Sequence, residues 1–441
     1  MPIVQELDAA EAADPTPRQT LLAIAASCLG WSLDLFDLFI LLYVAPVLGA
    51  LFFPSQFPTL SLAAVYASFA VTLLMRPVGS AVFGSYADRH GRKGAMVVAV
   101  IGVGISTAAF GLLPTLQQAG PISPILFLAL RLVQGVFVGG VVASTHTIGT
   151  ESVSAKWRGT MSGLIGGGGA AVGALLASLV FLATSSIFPG DSFAVWGWRC
   201  MFFSGILSSI LGLVVFRSLE ESPLWRRAQN KKRQSTDRRT PLAMLFSADH
   251  RGVLLTNLLI TTGGGAGYYL TSGYLPSFVK VVNKLPGTQT SLILMVASIA
   301  AFVASLLIGW LSDQIGRKPT FLLIGVLNLI LIPFCYLSMA VSSDVMTIGA
   351  YAAALAFLGN AGYAPVLIFL NERFPTDLRA TGTGLSWNIG FAIGGILPTF
   401  VSLLSPTPSD IPSSLAIFAG SVFVLFLIGA VAVPETRNRM Q

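Results

Sequence analysis

Charge is the scarcest thing in this chain. Only 10% of its 441 residues are Asp, Glu, Lys or Arg, where a soluble domain carries about 25%. That deficit excludes an ordinary water-facing globular surface. Histidine and cysteine are scarcer still, at three each. Cys28, Cys200 and Cys335 fall singly in or beside apolar stretches, so they make neither a disulfide framework nor a metal motif and read as small apolar fillers. No HExxH, phosphate-cradling glycine loop or Cys/His cluster occurs, which speaks against an enzyme and against a metal or other cofactor. The first twenty residues are polar and rather acidic, with Glu6, Asp8, Glu11 and Asp14 but no basic region or cleavage site, so no removable signal peptide is expected.

What the chain has instead is apolar length. Hydrophobic residues make up 54% and the mean hydropathy is +0.78. A membrane-spanning helix needs about 20 mostly apolar residues. Such stretches run 21–48, 60–83, 94–114, 122–148, 158–186 and 195–216 and then, after a polar gap, 252–281, 289–312, 319–340, 346–370, 379–404 and 411–433. The pattern predicts an all-α membrane protein of twelve transmembrane helices in two six-helix bundles, residues 1–216 and 251–441, joined by a linker over 217–250.

An even number of spans puts both termini on one side. Arg18, Arg89, Arg92, Lys93, Lys156, Arg158, the cluster from Arg217 to Arg251, Arg317, Lys318, Arg373, Arg379, Arg437 and Arg439 fall on that side. The other side carries little more than Lys280 and Lys284, with Arg199 near the boundary. The positive-inside rule then predicts cytoplasmic termini. The net charge of +7 is mostly this bias, not a nucleic-acid surface, and the basic linker reads as a solvated segment that favours anionic headgroups of the lipid bilayer.

The halves are related to each other. Gly84-Ser-Tyr-Ala-Asp88-Arg89-His90-Gly91-Arg92-Lys93 follows the second stretch, and Gly309-Trp-Leu-Ser-Asp313-Gln314-Ile315-Gly316-Arg317-Lys318 follows the eighth. Glu151 with Arg158, and Glu372 with Arg379, form a second repeated pair. Parallel repeats of this kind place a binding site near the bilayer midplane, between two halves that rock. With these signatures the whole chain resembles the major facilitator superfamily. Arg76-Pro77-Val78-Gly79, Arg131-Leu-Val-Gln134-Gly135, Trp196-Gly-Trp-Arg199, Glu220-Glu221-Ser222-Pro223 and Pro434-Glu435-Thr436-Arg437 look like its metabolite:proton symporter branch, with relatives for aromatic acids, sialate and lactate. The resemblance implies proton-coupled uptake of a small organic anion, a bacterial inner membrane, a monomer, and cytoplasmic gating contacts. In those contacts Asp88 would bond a helix N-terminus across the halves and Arg92 would pair with Glu151, while Asp313, Arg317 and Glu372 repeat the arrangement.

Charges inside the spans carry the rest. Asp34 and Asp37 stand near the middle of the first stretch, where a charge costs roughly 2.5–3.5 kcal/mol and so marks a protein interior or a water-filled path. Three residues apart, they share a helix face. They are the candidates for proton coupling, with an internal Asp–Arg clamp as the alternative. Arg131 is the first candidate to bind an anion, because a guanidinium offers a carboxylate a bidentate fork. Arg76 lies roughly 18 Å inside Asp88 at 1.5 Å per residue and serves either the anion or one of the aspartates. The second half has no ionisable acid or base deep in a span; it offers Asn257, Tyr274 and Tyr363, with Tyr268, Tyr269, Asn360, Trp387 and Asn388 as substrate-lining candidates. That asymmetry suggests a first half that handles charge and protons and a second that reads shape. His146 reads as a hydrogen-bonding residue, and the glycine runs 166–169, 263–267 and 390–398 as packing surfaces that also permit local unwinding.

Two transporter classes compete. A sugar symporter shares the Glu-Ser-Pro and Pro-Glu-Thr tails but calls for more Gln and Asn than the seventh and tenth stretches hold. A drug:proton antiporter usually carries a Gly-Pro pair in the fifth helix, and no proline lies between Arg158 and Ile187.

Overall fold

The computed structural model describes residues 17–90, 92–151, 155–217, 245–246, 248–375 and 379–437; within these, side chains at 17–20, 22–23, 81, 84–93, 95–96, 141–155, 215–217, 248–250 and 379–380 lie outside the description. The linker residues 218–244 and the side chains of Asp88, Arg92, His146 and Glu151 therefore lie outside the described residues.

Helix is the only regular structure among the described residues, as it must be where no water can satisfy a backbone amide. In the first half, α1 is Pro17–Phe52, α2 Pro58–His90, α3 Arg92–Phe110 and α4 Ile122–Glu151. Two interrupted helices follow, α5 over Arg158–Ile187 and α6 over Phe193–Val214. In the second half, α7 is Ala248–Tyr268, and it continues through a π turn, Tyr269–Gly273, into Leu275–Val281. Then come α8 Gly287–Ile315, α9 Arg317–Val341, α10 Val345–Arg373, α11 Arg379–Leu403 and α12 Ile411–Ala432.

Among the described residues, ten helices are long and apolar enough to cross a membrane. Among the described residues α3 contributes only a shorter apolar run, Val97–Phe110, and α7, though 21 residues long, is too polar to count among them. Its Thr261–Gly267 stretch is rich in glycine, and a π turn follows at Tyr269. The glycines themselves stay helical, and the local unwinding expected of them comes one turn later, at Tyr269–Gly273.

The sequence repeat reappears as a repeat of packing. α1 lies on α5, α2 on α4 and α3 on α6; six helices later, α7 lies on α11, α8 on α10 and α9 on α12. Between the halves the main contacts are α2 with α11 and α5 with α8, again related by the same shift. α1 and α10 are the most enclosed, with 78% and 83% of their apolar windows buried, so they carry the residues most sheltered from lipid. On the outside, Ile125, Leu132, Val296, Ile299 and Val303 are exposed, the apolar surface that hydrocarbon requires.

Candidate functional site

Rings from both halves meet at the middle of the molecule. The Trp31 indole N–H of α1 donates to the Tyr363 hydroxyl of α10 across 3.0 Å. Trp31 also stands edge-on to Trp387 of α11 at 5.7 Å, and Trp387 stacks on Phe391 at 3.8 Å. Tyr268 of α7 packs on Tyr363 at 5.1 Å and on Phe39 of α1 at 6.3 Å, while Tyr269 meets Phe69 of α2 and Phe391. Of the residues expected to line a path, Tyr268, Tyr269 and Trp387 are thus brought together, and Asn388 is buried beside Trp387. Trp31, Phe39 and Phe391 were not expected. Only Trp31 carried a positional signal, one helical turn before Asp34 on the same face.

Beside these rings lies one ion pair. Arg76 Nη1 stands 3.5 Å from Asp34 Oδ2, with both residues buried and within electrostatic reach of Tyr269 and Tyr363. At that separation neither Asp34 oxygen has a hydrogen-bond partner. The pair is therefore poised rather than locked, because a buried carboxylate left without donors has not recovered its desolvation cost.

A cavity opens between the halves next to the rings. Phe39, Tyr43, Ala174, Tyr268, Ser298 and Asn360 are among its lining, and it leaves about 20 Å³ for solvent. That holds about one water and is too small for an amino-acid-sized solute, so the halves must part to admit one. Both polar atoms of Asn360, the Tyr268 hydroxyl and the Ser272 hydroxyl are buried there without partners. Native proteins rarely leave such groups orphaned unless water or a ligand serves them.

The remaining acid and base of the first half sit elsewhere. Asp37 accepts long bonds from the Ser208 hydroxyl of α6, 3.3 and 3.5 Å. Arg131 lies inside the first half, 4.2 Å from the Phe110 ring centre and 5.3 Å from that of Phe127, donating to Gln134 Oε1 at 2.7 Å. It does not line the cavity between the halves. Its Nε and Nη2 have no partner, so the ring faces provide its main compensation. Asn257 is likewise remote, holding Arg373 at 3.2 Å.

At the end where α8 meets α9, the halves are clamped by charge. Asp313 accepts from the backbone of Gly159 at 2.9 Å and of Thr160 at 2.7 Å, the first turn of α5, where unpaired amides and the helix dipole favour an anion. Arg317 donates to Asp313 at 2.9 Å and by two prongs to Glu372, at 3.1 and 3.0 Å. Gly159 and Gly309 let the two helices cross closely, since a Cβ on Gly309 would stand 2.7 Å from the Gly159 carbonyl oxygen. The chain after α12 completes the clamp. Glu435 accepts from the amides of Arg317 at 2.9 Å and Lys318 at 3.0 Å, and Thr436 donates to Glu372 at 2.8 Å. The Pro434-Glu435-Thr436-Arg437 tail had been singled out as a motif without a role; its carboxylate cradles the α9 start, where Gly316 turns at φ +103°.

At the opposite end the halves meet through rings and hydroxyls rather than ion pairs among the described residues, with the Lys280 ammonium of α7 5.7 Å from the Phe181 ring centre and 5.3 Å from that of Phe193. Tyr66 of α2 stacks on Tyr274 at 5.1 Å and 12°, and its hydroxyl donates to Ser277 at 3.0 Å.

Repeated pairwise packing of helices around a buried site between the halves is the architecture of a membrane transporter, and comparison with known proteins gives the family. The Major Facilitator Superfamily model matches residues 20–399 and again 287–440. The chain belongs to this superfamily; it is a multi-pass secondary transporter and not an enzyme. It is 28% identical to the inner membrane metabolite transport protein YhjE of Escherichia coli over 421 residues, covering 94% of each. It is 28% identical to the proline/betaine transporter of Salmonella typhimurium, over 95% of this chain and 84% of that one. The glycine betaine/proline/ectoine/pipecolic acid transporter OusA of Dickeya dadantii is 29% identical over the same shares. In fold, the partially occluded xylose transporter XylE of E. coli superposes with a TM-score of 0.73 at 18% identity, covering 96% of this chain and 99% of that one. These names point to proline/betaine and metabolite relatives rather than to the aromatic-acid, sialate or lactate group expected from the motifs.

Proposed function

We propose that this protein takes up a small carboxylate-bearing solute together with protons, by exposing one site to alternate sides of a bacterial inner membrane. The observation that carries this reading is the Asp34–Arg76 pair, buried beside aromatic rings that both halves supply. Arg76 receives the solute carboxylate as a guanidinium fork. Asp34, losing its partner, is left as a buried uncompensated charge that protonation removes, and Asp37 belongs to the same proton site. Tyr268, Tyr269, Asn360, Trp387 and Asn388 shape the remainder. The ring faces suit a methylated ammonium, so a zwitterion such as a betaine fits best, in keeping with the names of two relatives. A plain organic anion is the second reading, favoured by the Arg131 guanidinium, whose Nε and Nη2 lack hydrogen-bond partners and which would then serve the anion directly once the halves part.

In this reading α1 to α12 all cross the bilayer, as two six-helix bundles over 1–216 and 251–441 joined by a cytoplasmic linker over 217–250, with cytoplasmic termini and a monomeric protein. Asp313, Arg317 and Glu372 gate the cytoplasmic end, and Asp88, Arg92 and Glu151 perform the same task in the first half.

The test is uptake of labelled solutes into proteoliposomes with an imposed pH gradient, across glycine betaine, proline, lactate, a benzoate-type acid and xylose. A carboxylate-bearing solute enters with external alkalinisation, and Arg76→Ala weakens its uptake roughly 10- to 100-fold, about 1.4–2.8 kcal/mol. Uptake of xylose alone, or solute leaving as protons enter, would overturn the reading.

A further inference from the structure

Asp37 belongs to a different space from the one between the halves. Asp34 and Asp37 of α1, Val100 and Val103 of α3, and Ser208 and Ser209 of α6 line a second cavity that leaves about 20 Å³ for solvent. Its lining comes wholly from the first half, whereas the cavity between the halves is lined by neither an aspartate nor an arginine. Asp34 touches both regions: the residue is part of the lining of the second cavity, and its Oδ2 also faces Arg76, next to the rings. The volume suits about one water, and the polar partners are present. Asp34 has both oxygens without hydrogen bonds, and Asp37 has only the long bonds from Ser208, whose hydroxyl is shared with the Gly205 carbonyl at 2.8 Å.

We propose that this first-half cavity is a separate proton compartment, in which one water links Asp34 to Asp37 and Ser208 is the positioning residue for Asp37. The inference rests on the proton-coupled reading above and gives its proton a place. Transfer is balanced: a proton leaves the carboxyl of one aspartate for the water oxygen, and the water passes another proton to the carboxylate of its neighbour. The compartment holds the same net charge before and after. The solute meets Asp34 only through Arg76, so solute and proton approach one carboxylate from opposite sides.

Other charges around α1 leave this arrangement intact. From α2 the facing group is Arg76 itself. From α4, Arg131 is turned to Phe110, Phe127 and Gln134. From α6, Arg199 is bound to the carbonyls of Gly111 and Leu113. On α7, Lys280 stands over Phe181 and Phe193, while Tyr268 and Tyr269, with Tyr363 of α10, reach Asp34 from the ring side. The described stretches of α3 from Val97 to Phe110 and α5 from Gly159 to Ile187 contribute no titratable side chain, and α1 adds only Cys28 and Tyr43 near the pair.

The experiment compares two plugs. Ser208→Val fills the first-half cavity, and Ala356→Phe fills the cavity between the halves. Protonation of the buried carboxyls is read from their infrared C=O band in reconstituted protein across pH, with Asp37→Asn assigning the band, and uptake is read with glycine betaine and lactate. Ser208→Val should move the band's midpoint by about one pH unit, a tenfold change in proton affinity. Ala356→Phe should abolish uptake and leave the midpoint in place. Equal midpoint shifts in the two variants, or no shift in Ser208→Val, would overturn the proposal. Should the valine variant misfold, Ser208→Ala, which removes the hydroxyl without filling the cavity, tests the positioning role of Ser208 alone, and a smaller shift in the same direction is then required. If wild-type protein takes up neither solute, the transport reading is what fails, while the infrared arm still decides this one.

Discussion

Arg317 shows how much one buried side chain can hold. Its guanidinium binds Asp313 and Glu372 together while nearly all of it is removed from water. Removing it strands two carboxylates, so Arg317→Met should destabilise the protein by about 3–5 kcal/mol. Adding Glu372→Met should recover part of that loss, because one uncompensated charge disappears with it. Thermal unfolding of the purified variants in detergent measures both, and additive losses would contradict the shared-pair picture. At this scale the sequence was readable wherever a residue was costly. Asp34, Asp37, Arg76 and Arg131 stand out because a membrane interior tolerates charge only for a reason. It was poorly readable where the chemistry is neutral. Phe39, Phe391 and Ser208 look like any apolar or small residue of a span until their neighbours are known. Partner choice was equally hidden, since two acids and two bases in one half allow several pairings, and packing realises only the one between Asp34 and Arg76.

Elements behave as hinges, clamps and caps. The tail after α12 acts on the start of α9 through one carboxylate. Burial alone would raise the Glu435 carboxyl, but backbone N–H donors from Arg317, Arg437, Lys318 and Thr436 outweigh it and hold it below the usual glutamate range. A carboxyl lowered in this way contributes its full share above its unfolded value and loses it as pH falls through the folded one. Hydrogen exchange at the Arg317 and Lys318 amides, corrected for intrinsic rates, should therefore stay slow at neutral pH and quicken below the ordinary glutamate range. In Glu435→Gln the neutral-pH rate should already be high; protection that survives the substitution would show the tail to be incidental. The broken helices were half legible. Glycine runs pointed to α5 and α7 as places for irregularity, yet the π turn of α7 begins at Tyr269, after the glycines. A glycine run permits a distortion, whereas the surrounding helices determine where it falls.

For the molecule as a whole, the two ends are closed by different chemistry: ion pairs and helix-terminal amides at the α8–α9 end, and stacked rings, hydroxyls and one lysine over aromatic faces at the Tyr66 end. Wedging one end should therefore open that end selectively. A side chain at Gly163 would run into the Ser305 carbonyl oxygen of the other half, so Gly163→Leu should part the halves there. Spin labels at Trp157→Cys and Gln314→Cys, with native cysteines replaced, should report a longer and broader distance by electron–electron resonance, and transport should fall at least tenfold. An unchanged distance would mean that the crossing yields locally without moving the halves.

Sequence by itself determined the class and the frame of this protein. Hydrophobic length demands spans because the backbone must satisfy itself in lipid, and the repeated signatures carried through to a repeated pairing of helices. It also determined which residues are too expensive to be idle. Only the tertiary structure decided that Arg76 faces Asp34 while Arg131 lies among phenylalanines. It alone showed that rings from both halves close around one pair, and that Asp37 opens onto a space of its own. The physical reason is that burial cost belongs to a residue and can be read along a chain. Pairing and cavity shape depend on side chains hundreds of residues apart, as with Trp31 and Tyr363, and exist only once the helices have packed.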